Sequence, residues 1–174
     1  MLFFEKMAKI LVPLSRKSLQ PVTMENITGK TVIINKPAYQ LYTAFSNMNS
    51  FAANLPEQFK DKITIGPDFI LITMQGFSLG AKVNSRTPFS RIDFEQYGQV
   101  PFPFLASFFF EPKDDDSTYF HLELRAELNM MLKMMIGGKL KDAVEKITDG
   151  IAKAASGEVP AEWSDFAKQN GFGI

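Results

Sequence analysis

Residues 118–128, TYFHLELRAEL, alternate apolar and polar side chains without a break, and directly after them the period becomes helical. Thr118, Phe120, Leu122, Leu124, Ala126 and Leu128 share one face. Tyr119, His121, Glu123, Arg125 and Glu127 share the other, the pattern of an antiparallel strand that is wet on one side. After Asn129, placed to cap a helix, an apolar stripe runs through Met131, Met135, Leu140, Val144, Ile147 and Ile151, broadened by Ile136 and Ala143. A sheet with one apolar face must cover it, and this helix is the only predicted element long enough to do so. The junction therefore commits the chain to a strongly curved antiparallel sheet gripping its own C-terminal helix.

Upstream segments fit that frame. ENITGKTVIIN reads as a first strand ending before Pro37, which suits a helix's first turn. Tyr39, Tyr42 and Phe45 then recur at helical spacing, and SFAANL makes a second short helix ending at Pro56. Strands are predicted at 61–66, 68–74, 77–84, 89–98 and 102–112, separated by Gly- and Pro-containing turns, with KDDDS (113–117) as an ordinary solvated hairpin loop. The predicted class is α+β, with a curved seven-stranded antiparallel sheet and two short helices between strands 1 and 2. Gly137-Gly138 lowers helix propensity and permits a bend or a close crossing. Residues 1–22 are read as an amphipathic arm or a translated extension ahead of Met24, 23–155 as the domain, and 156–174 as a tail with a short helix from Pro160.

Composition removes several functions. With 19 basic and 19 acidic residues there is no net field to draw nucleic acid or an anionic surface from a distance. The absence of cysteine excludes disulfides and thiolate metal sites, and the single His121 excludes a histidine cluster. No metal or other cofactor is expected. The N-terminal apolar run is broken by Glu5, Lys6 and Lys9, so neither a signal peptide nor a membrane span is read there, and the cytoplasm is the default location. Seventeen phenylalanines against four tyrosines and one tryptophan imply an interior with area and shape but few hydrogen bonds.

Two stretches carry a family resemblance: VIINKPAYQLYTAFSNMNSFAANLP at the first strand and helix pair, and FFFEPKDDDSTYFHLELRAELNMMLKMM running into LKDAVEKITDGIA. Over residues 24–154 they resemble the START-like superfamily (SRPBCC, or polyketide cyclase/dehydrase-like proteins) with its helix-grip fold. The chain looks especially like small members of unassigned function from Bacteroidetes-type genomes. The resemblance implies a cavity between sheet and long helix. In the wider family that cavity holds sterols, phospholipids, hormones or polyketides, and some members are cyclases or dehydratases. Such motifs are structural, and the fold does not choose among those activities.

The residues point to binding rather than catalysis. Acid–base chemistry needs titratable groups inside an apolar pocket, yet Arg91, Asp93, Glu95, His121, Glu123, Arg125 and Glu127 all take the outward phase, where they read as solvated surface. The inward candidates are rings, aliphatics and a few neutral polar groups: Tyr39, Tyr42, Phe77, Leu79, Phe94, Gln96, Phe108, Phe110 and Phe120, joined by Met131, Met134 and Met135 from the helix start. Asn54 and Thr118 are further neutral polar groups at the rim. The expected function is non-enzymatic binding of a small lipid-like or aromatic molecule. The alternatives are a cyclase- or dehydratase-like enzyme and an interaction module with a filled core. No nucleic-acid or integral membrane partner is expected, and the N-terminal arm and the C-terminal tail are the candidates for self-association.

Overall fold

The computed structural model describes residues 21–52, 61–74 and 77–157, with side chains of Phe51, Ala52, Met74 and Phe77 outside the described set. Among the described residues eight strands form one antiparallel sheet: β1 (Val22–Thr28), β2 (Val32–Ile34), β3 (Ile63–Ile65), β4 (Phe69–Met74), β5 (Phe77–Thr87), β6 (Arg91–Gly98), β7 (Phe104–Pro112) and β8 (Thr118–Asn129). Helices α1 (Ala38–Ser46) and α2 (Met48–Ala52) lie between β2 and β3, and α3 (Met130–Ala155) follows β8. The order across the sheet is β1-β8-β7-β6-β5-β4-β3, with β2 also on β8. The expected curved sheet around a long C-terminal helix is what forms.

The expected single first strand is two strands. The break falls at Gly29, where the chain meets α3: a Cβ there would sit 2.8 Å from Val144 Cγ1 and 3.2 Å from Thr148 Oγ1. Gly29 N–H still donates to Leu122 C=O at 2.8 Å, so β8 holds both pieces. The next residue fastens the turn to the helix, with Lys30 N–H donating to Glu145 at 3.1 Å and Lys30 Nζ 2.7 Å from Asp149.

Asn129 caps α3 as expected, its side chain accepting from Leu132 N–H at 2.8 Å. The buried row of α3, however, is Leu132, Ile136, Leu140, Val144, Thr148 and Ile151. Met131, Met135 and Ile147, placed on the stripe by periodicity alone, are exposed, as are Met130 and Met134. Gly137 and Gly138 lie inside the continuous helix, and no close crossing occurs there: a Cβ at Gly138 would meet nothing within 4 Å. The close approach belongs to Gly29.

Candidate functional site

Strand register carries one apolar face across the whole sheet. Ile65 stands opposite Ile70, Ile70 opposite Ala81 and Ala81 opposite Gln96. Val83 pairs with Phe94, Phe94 with Ala106, and Ala106 with Leu124. Ile92 faces Phe108, which faces Leu122, and Phe110 faces Phe120. These concave phases agree with those read from alternation.

The concave face has two unlike halves. At the α1 end it is filled: Phe45 of α1 packs on Phe110 at 6.1 Å and Phe108 at 5.7 Å, while Phe94 meets Phe108 at 4.8 Å and Phe110 meets Phe120 at 5.6 Å. Ile34, Leu41, Met48, Ile92 and Ile151 complete that cluster. A second cluster, Phe102, Ala126, Leu128, Leu132, Ile136 and Leu140, lies under the first turns of α3. Since α3 packs chiefly on β8, β1 and β2, the middle strands receive less cover. Ile70, Ile72, Leu79, Ala81, Val83, Ala106 and Phe108 all face inward yet remain only half-buried. They make the less covered part of the concave face, with Ile70, Ala81, Val83, Ala106 and Phe108 packed against the edge of the filled cluster.

The sequence-derived candidates separate accordingly. Leu79 is half-buried on the less covered part of the concave face, and Phe108 stands at the edge of the filled cluster against Phe45 and Phe94. Phe94, Phe110 and Phe120 are buried against one another in the filled half, and Tyr42 joins them edge-on, 6.4 Å from Phe110 and 5.4 Å from Phe89. Tyr39 is 56% exposed, its hydroxyl oxygen accepting from Gln40 at 3.1 Å, so it stands away from the interior. Gln96 takes the concave phase, and its Oε1 accepts from Phe104 N–H at 3.1 Å, bridging β6 to the start of β7. Thr118 is fully buried and donates to Lys36 C=O at 2.7 Å, a structural bond. Met131, Met134 and Met135 are 46%, 83% and 36% exposed, contrary to an inward position, because Leu132 and Ile136 take the sheet-facing row. The side chain of Phe77 and all of Asn54 lie outside the described residues.

Ionisable groups stand at the ends of the concave face. Near the start of α3, Glu25 of β1 pairs with Lys133 at 2.6 Å. At the α1 end, Arg86 donates to Ser46 C=O at 2.8 Å and pairs with Asp68, tying the helix end to the β3–β4 turn. Among the described residues no three His, Cys, Asp or Glu side chains are grouped to hold a metal ion.

The convex face departs from the expected solvated surface. Asp93 is only 7% exposed and Ser107 2%. The Asp93 carboxylate accepts from Ser107 Oγ at 2.6 Å, Ser85 Oγ at 2.6 Å and Arg91 Nε at 2.7 Å. Burial alone would raise the Asp93 pKa, but these donors together outweigh it and hold the carboxyl below its ordinary range. A register shift between Val83 and Ser85 brings Ser85 opposite Asp93. Beside them His121 stacks on Phe109 at 4.6 Å, with Arg91 over the same ring at 5.2 Å. A shallow groove of about 210 Å³, lined among others by Arg91, Phe109, Glu123 and Arg125, opens on this side.

The antiparallel sheet curved around its last long helix is a helix-grip fold. Among solved structures, norcoclaurine synthase from Thalictrum flavum is similar with a TM-score of 0.59 at 13% identity, over 80% of this chain and 94% of that one. Its complex with dopamine and hydroxybenzaldehyde gives 0.56 at 12% identity, covering 80% and 90%. A Thermobifida fusca protein solved by solution NMR gives 0.56 at 13% identity, covering 75% and 92%. At such identities the likeness is one of fold. No protein-family model matches the chain, and no curated protein matches it significantly.

Proposed function

We propose that the chain binds a small hydrophobic or aromatic molecule over the less covered middle strands, between the sheet and α3. One observation carries this reading: the seven inward apolar side chains from Ile70 to Phe108 that the fold leaves half-buried. Burying such surface against a ligand favours association by about 25 cal/mol per Å² before ordering costs. Aliphatic walls with one ring edge, Phe108, accept many shapes and suit a ligand held by contact area. The narrower likeness to small Bacteroidetes-type members belongs to the same reading and rests on residues 24–154.

A second reading, catalysis on an aromatic substrate, is favoured by the similarity to norcoclaurine synthase, whose structure holds dopamine and hydroxybenzaldehyde. For this chain it would draw on the Tyr42 hydroxyl or on the Glu25–Lys133 pair at the ends of the concave face.

The test is solvent extraction of the purified chain with mass spectrometry, together with titration of anilinonaphthalene sulfonate against wild type and Ala81→Phe. The reading expects saturable binding that Ala81→Phe weakens while the melting temperature holds. Absence of saturable binding, or binding indifferent to that substitution, would overturn it. Formation of product from an aromatic amine and aldehyde above the uncatalysed rate, lost in Tyr42→Phe or Glu25→Gln, would move the conclusion to the enzymatic reading.

A further inference from the structure

Given a ligand over the middle strands, as proposed above, we infer that Gln96 selects its chemistry: an uncharged molecule whose apolar body carries an oxygen acceptor, a ketone or an ester, held by the Gln96 amide. Among the register-paired positions of β4 to β7, two polar side chains take the concave phase, Gln96 opposite Ala81 and Arg86 opposite Ile92. Arg86 is engaged at the α1 end, with Ser46 C=O and Asp68. Gln96 stands half-buried in the less covered part of the face.

The partner of the amide sets its orientation. A backbone N–H can only donate, so Phe104 N–H takes Oε1, and Nε2, which carries two donors, is turned away from that bond. This nitrogen has no hydrogen-bond partner among the described residues. The positions around it lack bulk: Ala81 lies opposite, Gly98 two residues along β6 and Ala106 across from Phe94. An apolar molecule lying over Leu79, Ala81 and Phe108 displaces the water from Nε2, and donors left unmatched there cost more than one made bond gains. A ligand with an oxygen at that point restores the bond, and a hydrocarbon does not. A carboxylate is disfavoured, because the cations described at the ends of the concave face are already paired, Arg86 with Asp68 and Lys133 with Glu25.

The experiment is equilibrium dialysis of the full chain with three probes on one ring system: 2-acetylnaphthalene, its near-isosteric hydrocarbon 2-isopropylnaphthalene, and 2-naphthoate. Gln96→Glu still accepts from Phe104 N–H but has lost the free donor, so it should keep the wild-type melting temperature. Its ratio of ketone to hydrocarbon affinity should fall roughly tenfold, the scale of one net hydrogen bond. Gln96→Met, which loses both the acceptor and the donor, should lower that ratio by a similar factor. A ratio unchanged in Gln96→Glu would overturn the assignment to Gln96, and naphthoate bound more tightly than the ketone would overturn the choice of an uncharged ligand. If none of the three probes binds, the binding reading itself falls and the role of Gln96 with it.

Discussion

The two faces of this sheet divide the physical tasks differently from what alternation alone suggests. The inner face, which should be uniformly dry, is a tight phenylalanine cluster at the α1 end and a row of half-buried apolar side chains over β4, β5 and β7. The outer face, which should be wet, holds a buried carboxylate with three donors. Alternation tells which way a side chain points; what lies beside and above it decides whether water reaches it.

The contrast within the inner face can be broken most severely at its filled end. Phe120→Ala, in the middle of the ring cluster, should cost about 3–5 kcal/mol in urea unfolding. Leu79→Ala, on the less covered middle strands, should cost distinctly less, on the order of 1 kcal/mol, because part of its surface is already exposed. Equal losses would mean that the middle strands are as tightly covered as the cluster.

Across the two faces, Asp93→Asn should lower stability at neutral pH by about 1–3 kcal/mol, since an amide cannot accept from all three donors as the carboxylate does. The sign of the pH effect follows from the lowered folded-state pKa. Unfolded, the carboxyl titrates near 3.9, so its stabilising contribution is complete above that value and is lost as pH falls through the lower folded value. Wild type should therefore lose its advantage over Asp93→Asn below about pH 4, followed by melting temperature against pH. An advantage that persists to strongly acid pH would show that the network does not depend on charge.

The smallest expected effect separates the two ends of α3's contact with the sheet. Gly138→Ala should stabilise by about 0.5–1 kcal/mol, because its methyl group meets no neighbour and the substitution restricts the unfolded chain. Gly29→Ala should do the opposite, its methyl group lying against Val144 and Thr148. Melting temperatures of the two variants, compared with wild type, check both signs.

Much of the architecture was legible from the β8–α3 junction. Phase is a local property, and a run such as FHLEL alternates strictly enough to assign it. The inward positions Phe94, Phe108, Phe110 and Phe120 followed directly. The helix stripe was less determinate because MMLKMMI offers two apolar rows one residue apart. Packing chose Leu132 and Ile136 over Met131 and Met135, placing branched side chains against the sheet. Asp93 was read as outward but not as buried, because Ser85 and Ser107 reach it from other strands, one of them through a register shift. The lighter cover of the middle strands had no local signature: it follows from the path of α3 over β8, β1 and β2.

That path gives Gly29 a reach beyond its own turn. Its bare Cα leaves room for Val144 and Thr148 to seat against the sheet edge, and Lys30 clips the same turn to Glu145 and Asp149. The helix thus turns on a fixed bearing at the rim of the molecule. A bulkier residue at position 29 would lift α3 and widen the space over β4 and β5, making the capacity of the interior answer to a residue no guest would touch.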